Sequence, residues 1–164
     1  MRHPSLIPLS RDHHHGLALA LRCRKQALGQ IKPMGVQGLK ERAQEFRVFF
    51  AKNLEQHFQA EEDVLFPFIR SSAPESHSMI ADLLEEHEQI RNRVGELEGN
   101  KVLSKLLFDL GDLLERHIRR EERELFPLFE NHVGEADAER IKKEIEGILQ
   151  GRHPKSRVSM PQIS

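Results

Sequence analysis

Two segments of the chain carry one motif, HFQAEEDVLFPF at residues 57–68 and HIRREERELFPL at residues 117–128. They are identical at six of their twelve positions and start sixty residues apart. In each copy a histidine precedes a glutamate by four residues. This spacing places both side chains on one face of an α-helix, about one turn apart. The repeat therefore predicts two helices that carry like His-Glu pairs.

Such pairs also occur as exposed i,i+4 pairs on solvated helix faces, so their neighbours decide how they are interpreted. Both histidines lie within or at the edge of an apolar stripe, which consists of Leu54, Phe58 and Leu65 around His57, and of Leu113, Leu114, Ile118 and Leu125 around His117. Burying an imidazole and a carboxylate without a strong partner is costly. A metal ion would be such a partner, so we interpret His57, Glu61, His117 and Glu121 as metal ligands.

Outward from the repeat, Gly, Pro and Ser divide the chain into segments whose apolar residues recur at helical spacing. The pattern predicts helices at residues 11–28, with Ser10 as N-cap, and at 37–66, 76–97, 102–125 and 137–149. Short turns, including Gly99-Asn100, connect the first four. The predicted fold is therefore all-α, an up-down-up-down antiparallel four-helix bundle with an additional short C-terminal helix.

The predicted topology makes the second and fourth helices parallel and diagonally opposed, so the two motifs lie at similar depth in the bundle. Residues 1–150 are expected to form one domain, with the bundle core at 10–130. The tail at 151–164 has no periodicity and is expected to be disordered. Pro67 and Pro127 are expected to end or kink the second and fourth helices just beyond the ligands.

Further histidines lie in core registers of the other two helices. His14 shares its face with Leu17, Ala18 and Leu21, and His13 is the next best placed residue on that helix. On the third helix, the neighbours of His87 are Leu83, Leu84, Ile90 and Val94. A single histidine on an apolar face is usually an ordinary core residue. Here each of four helices offers one, which favours a metal site.

Composition excludes several classes of function. The net charge of −1 gives no electrostatic reason to bind nucleic acid or an anionic membrane. The single cysteine, Cys23, excludes an intrachain disulfide and a multi-thiolate metal site, and we interpret it as a small core residue. No apolar run is long enough to span a bilayer, and residues 1–9 lack the core of a signal peptide, so we expect a cytoplasmic protein.

The ligand types indicate which metal to expect. Imidazole and carboxylate without thiolate suit iron, with manganese and zinc as competitors. Six protein ligands suffice for two metal ions if carboxylates bridge them, whereas a single zinc ion would need only three or four.

At these positions the sequence resembles the hemerythrin-like, or HHE cation-binding, family. The resemblance rests on four segments: LSRDHHHGL at 9–17, HFQAEE at 57–62, LEEH at 84–87 and HIRREE at 117–122. It implies a bundle that holds two non-haem iron ions, bridged by carboxylate and an oxo or hydroxo group, and that binds or reacts with dioxygen or senses a related small molecule. By position it implies His14, His57, His87 and His117 as terminal ligands and Glu61 and Glu121 as bridging ligands.

Two departures from the oxygen-carrying members bear on these expectations. Those proteins have a second histidine four residues before the third-helix ligand, where this chain has Leu83. Their fourth-helix carboxylate lies five residues after the histidine, which would select Glu122, but the internal repeat favours Glu121. We therefore keep His13 and Glu122 as further candidate ligands.

The missing histidine favours sensing, storage or peroxide chemistry over reversible oxygen carriage. The leading hypothesis is a metal-binding or sensing protein rather than an enzyme, whose ligands are metal ions and dioxygen or a similar molecule. A di-iron oxidase or ferroxidase resembling the ferritin type is the alternative. It is ranked lower because such proteins use Glu-x-x-His pairs. A metal-free interaction bundle comes third, and nothing in the sequence identifies a protein partner.

Overall fold

A computed structural model describes residues 1–99 and 101–151, and within these ranges the chain forms five helices and no strand. They are α1 (Ile7–Ala27), α2 (residues 35–72), α3 (His77–Gly95), α4 (residues 103–132) and α5 (Glu135–Gln150). Residues 152–164 of the predicted tail, and Asn100 of the predicted connection, lie outside the described residues. None of the described helices has the length and apolar character needed to cross a bilayer.

The first helix begins earlier than the sequence pattern predicted. It starts at Ile7, with Pro8 in its first turn, where the missing backbone N–H of proline leaves no intrahelical bond unmade. Ser10 therefore lies inside the helix and is not its N-cap. Instead the Ser10 hydroxyl donates a hydrogen bond of 2.7 Å to a carboxylate oxygen of Glu122 on α4.

Helices α2 and α4 continue through the prolines that were expected to end or kink them, and stop only at Ser72 and His132. In each helix a π-helical turn directly precedes the proline-containing segment, at Glu61–Leu65 in α2 and at Glu121–Leu125 in α4. A proline lacks a backbone donor and crowds the preceding turn of an α-helix. The wider π turn before it accommodates this change without a break in the helix. A further π turn in α2 spans Phe50–Leu54.

The helices pack antiparallel, and α1 lies closely against α4. A Cβ atom added at Gly111 would lie 2.7 Å from the backbone oxygen of Ala20, and one added at Gly16 would lie 2.9 Å from the Ile118 side chain. Glycine at these two positions therefore permits the close approach of the helices.

Two apolar clusters fill the interior. One is built around Leu9, Phe66 and Phe126 together with the buried face of α5, and the other around Leu19 and Phe58. Along all four long helices, residues of one cluster are followed by buried polar residues and then by residues of the other cluster. A polar layer therefore crosses the bundle between the two apolar clusters.

Candidate metal centre

Six buried polar side chains from four helices form the centre of this layer. Their exposed fractions are between 0 and 3%: His13 from α1, His57 and Glu61 from α2, His87 from α3, and His117 and Glu121 from α4. Polar groups buried to this degree need strong partners, because each has lost its hydration. Their contacts with one another and with the next shell of residues therefore define what the layer can bind.

Glu61 spans the centre from one pair of histidines to the other. Its Oε2 atom lies 3.1 Å from Nε2 of His57, and its Oε1 atom lies 3.1 Å from Nε2 of His87. The two oxygens of this one carboxylate therefore face different imidazoles on different helices.

Glu121 has the equivalent position in the second copy of the motif. Its Oε1 atom lies 2.9 Å from Nε2 of His13, and its Oε2 atom lies 3.2 Å from Nε2 of His117. The ligand atoms consequently fall into two groups, each within 4.8 Å, that share both glutamates: His13, His57, Glu61 and Glu121, and Glu61, His87, His117 and Glu121. This is the arrangement expected of two metal positions bridged by two carboxylates.

A second set of carboxylates, which we call the outer acids, contacts the opposite nitrogen of each central imidazole. Each Nδ1 atom lies within hydrogen-bond distance of an acidic oxygen: His13 and Glu122 at 2.6 Å, His57 and Asp12 at 3.0 Å, His87 and Glu62 at 2.6 Å, and His117 and Glu86 at 2.7 Å. An ionised carboxylate can only accept a hydrogen bond, so each Nδ1 atom must carry the hydrogen. Metal-binding histidines are commonly oriented in this way.

The consequence is that four Nε2 atoms and four carboxylate oxygens converge on the centre. A neutral imidazole with hydrogen on Nδ1 presents a lone pair at Nε2. Nε2 of His13, His87 and His117 and both oxygens of Glu121 make no hydrogen bond of acceptable geometry despite the short contacts. Converging buried acceptors need protons or a cation between them, and these residues fit two bridged metal ions.

The pKa values of the central groups indicate the same need for positive charge. Burial and the charge of Glu121 raise the pKa of Glu61 to about 8. Burial by itself would lower the pKa of His117, but the negative charge of the adjacent Glu121 raises it to about 10. Burial opposes ionisation of Glu121, yet the charge of His117 and the close contacts with His117 and His13 hold its pKa well below its usual range. Protons therefore collect among these acceptors, where metal ions would compete with them.

The centre has an internal two-fold relation that extends the repeat seen in the sequence. Asp12-His13 on α1 corresponds to Glu86-His87 on α3, and each acid holds the histidine of the following helix. The imidazole rings of His13 and His57 lie 4.8 Å apart, and those of His87 and His117 lie 4.9 Å apart. Each half of the chain thus supplies two imidazoles, one central glutamate and two outer acids.

Most of the predicted site residues come together, with one error on the first helix. The structure places His57, Glu61, His87, His117 and Glu121 in the centre. The prediction that His14 faces the core is wrong: His14 is exposed, and His13 occupies the central position from α1. Glu122 is 26% exposed and lies behind His13, outside the two ligand groups. Ligation itself remains a prediction for every one of these residues.

Sequence reasoning missed the outer acids Asp12, Glu62 and Glu86. A signal was present, because each is adjacent in sequence to a central residue: Asp12 precedes His13, Glu86 precedes His87, and Glu62 follows Glu61. On a helix, an adjacent residue points to a different side of the axis, and can therefore reach a ligand of the neighbouring helix.

A helical bundle whose core holds histidines and glutamates from facing helices is a known architecture for metal sites. The sequence profile of the hemerythrin HHE cation binding domain matches residues 6–129, and the chain belongs to this family. This match covers all four helices that contribute to the centre. Neither the curated proteins nor the solved structures include a match to the chain.

Proposed function

We propose that the chain binds two iron ions at this centre and uses them to bind or sense dioxygen or a related small reactive molecule. The observation that carries the proposal is the placement of Glu61 and Glu121. In each glutamate one carboxylate oxygen faces a histidine of one pair, and the other oxygen faces a histidine of the other pair. Paired carboxylates shared between two metal positions in a bundle core are typical of di-iron carboxylate proteins. Nitrogen and oxygen ligands without thiolate also suit iron, with zinc and manganese as competitors.

Iron, when bound, supplies the redox chemistry through which dioxygen or a similar molecule reacts. The side chains of this chain orient the metal, exclude water and hold protons. The outer acids fix the hydrogen on Nδ1, so each Nε2 atom is available as a ligand. The apolar clusters on both sides of the polar layer keep bulk water away, which strengthens the electrostatic interactions within it.

The ligand count favours sensing over reversible oxygen carriage. Each metal position has two imidazoles and two shared carboxylates, and Leu83, one turn before His87, is fully buried in an apolar cluster and supplies no further nitrogen. Few neutral ligands and open coordination positions favour oxidation of the metal over return of unchanged oxygen. The oxidase and ferroxidase alternative predicts repeated turnover of ferrous iron instead.

Metal analysis of protein purified without chelator, and after anaerobic reconstitution with ferrous iron, tests the metal part of the proposal. We expect about two iron ions per chain, one for each ligand group. His13→Ala should lower this to about one, whereas His14→Ala, which changes the adjacent but exposed histidine, should leave it unchanged. Zinc alone, or no iron after reconstitution, would contradict a di-iron centre.

Absorption spectra test the functional part. The reduced, iron-loaded protein is exposed to air and then degassed. Sensing predicts a spectral change that persists after degassing and is reversed by a chemical reductant. Full recovery on degassing would contradict the preference for sensing and favour oxygen carriage, and continued oxidation of added ferrous iron would favour the oxidase alternative.

A further inference from the structure

Two arginines lie at corresponding positions outside the centre, one on each side. Arg2 contacts a carboxylate oxygen of Glu122 at 3.4 Å, and its guanidinium lies 5.3 Å from the ring centre of Phe126. Arg91 contacts a carboxylate oxygen of Glu62 at 3.0 Å, and its guanidinium lies 5.3 Å from the ring centre of Phe58.

Both partners of each arginine touch the same imidazole. Phe126 stacks on His13 with ring centres 5.4 Å apart and an interplanar angle of 14°, and Glu122 accepts the Nδ1 hydrogen of His13. The corresponding stack of Phe58 on His87 has ring centres 3.7 Å apart and the same angle. Each of these imidazoles is therefore held at its Nδ1 atom and on its face by groups that an arginine contacts.

The outer acids differ in how much support they need. Glu62 and Glu122 are each 26% exposed, whereas Asp12 is 6% exposed and Glu86 is 18% exposed. A partly exposed carboxylate can exchange a protein donor for water. A guanidinium that contacts it adds a charge-assisted interaction of defined geometry, which opposes this exchange.

We infer that Arg2 with Glu122, and Arg91 with Glu62, are positioning pairs that each govern one of the two metal positions. The first pair acts through His13 on the position shared with His57. The second acts through His87 on the position shared with His117. This inference rests on the proposed function, because it requires metal at both positions.

The selectivity follows from the location of the two arginines. Arg2 precedes α1, and its other partner is Glu130 on α4. Arg91 belongs to α3, and its other partners are Glu55 and Glu88. The two arginines share no partner among these contacts, so removal of one should leave the other pair in place.

Release of ferrous iron to a chromogenic chelator under anaerobic conditions tests the inference. Wild-type protein provides the reference rate, and its iron content is measured first. In Arg2→Met, and separately in Arg91→Met, about half of the iron should leave about two- to fivefold faster, the range expected when a partly exposed ion pair is lost. The double variant should release all of its iron at the faster rate. Glu122→Ala and Glu62→Ala, which remove the acid itself, should weaken binding about 10- to 100-fold at one position.

Three comparisons keep the inference falsifiable. Arg140→Met removes two exposed ion pairs on α5 and should release iron at the wild-type rate. Arg2→Lys and Arg91→Lys retain the charge and should restore part of the slow release. These lysine variants keep the test decisive even if a methionine variant loses helical content. Wild-type rates in both methionine variants, or faster release of all the iron in either one, would overturn the inference. Fewer than two irons in the wild type would refute the proposed function itself.

Discussion

Removal of the proposed metal ions should lower the thermal stability of the protein strongly, because the residues that would bind them converge only in the folded chain. The two ligand groups draw on four helices, and their six side chains are at most 3% exposed. An ion that binds the folded state alone stabilises it by about 2.7 kcal/mol when its free concentration is 100 times the dissociation constant. Two such positions should together contribute about 5 kcal/mol.

This free energy converts to a large change in melting temperature. For a domain of this size, 1 kcal/mol corresponds to about 2–4 °C, so the expected difference is about 10–20 °C. The measurement is thermal unfolding followed by circular dichroism at 222 nm, under anaerobic conditions, with ferrous iron at that excess and with a chelator. The melting temperature should also rise with the logarithm of the free metal concentration.

His14→Ala is the matched control, because its exposed imidazole should add nothing, and the variant should show the full difference. The reasoning would be refuted if the iron-loaded and chelated proteins unfolded at the same temperature. Equal shifts in His14→Ala and His117→Ala would also refute it, since His117 belongs to one of the ligand groups and His14 to neither.

Two further predictions concern the packing around the centre. Gly111→Ala should destabilise the fold by up to about 2 kcal/mol in chemical denaturation, because the added methyl group meets the Ala20 oxygen at 2.7 Å. Gly147→Ala has open space around the added methyl group and should stabilise the fold by up to about 1 kcal/mol. A Gly111→Ala variant more stable than Gly147→Ala would contradict the close approach of the helices. Burial raises the pKa of the Cys23 thiol from 9.0 to about 12, so this thiol should resist alkylation at pH 8 in the native protein. Because the thiol ionises at lower pH in the unfolded chain, the free energy of unfolding should fall as the pH rises above about 9, and Cys23→Ala should lessen this fall.

The fold was predictable because long apolar stripes and clear breakers mark the helices of this chain. The buried face of α1 was not, and the reason lies in its composition. That face includes Asp12, His13 and Gly16, whereas the apolar Ala18 and Leu21 are exposed. Choosing the most apolar side of this helix as the buried side therefore selects the wrong side. Because residues 13–15 are all histidines, this error led to the prediction that His14, and not His13, faces the core.

The site was predictable where it is duplicated and less so elsewhere. The repeat located His57, Glu61, His117 and Glu121, because two like motifs on separate helices are hard to explain as surface pairs. It also supported Glu121 over Glu122 as the inner residue, and the burial of Glu121 confirms its inward position. The outer acids depend on contacts between helices, which spacing along one helix cannot specify.

The π turns at the two central glutamates have a consequence for the length of the chain. A π turn contains one residue more than an α turn, and each residue of an α-helix turns the chain by 100°. The wider turn takes up the extra residue, so deleting one residue from 62–64, or from 122–124, would restore a regular α-helix without rotating what lies beyond it relative to the histidine. Phe66 and Phe126, both buried one step beyond these turns, would then stay in the core. In each half of the bundle the π turn thus accommodates one extra residue beside the central glutamate, which in a regular α-helix would rotate the hydrophobic residues beyond it by about 100°.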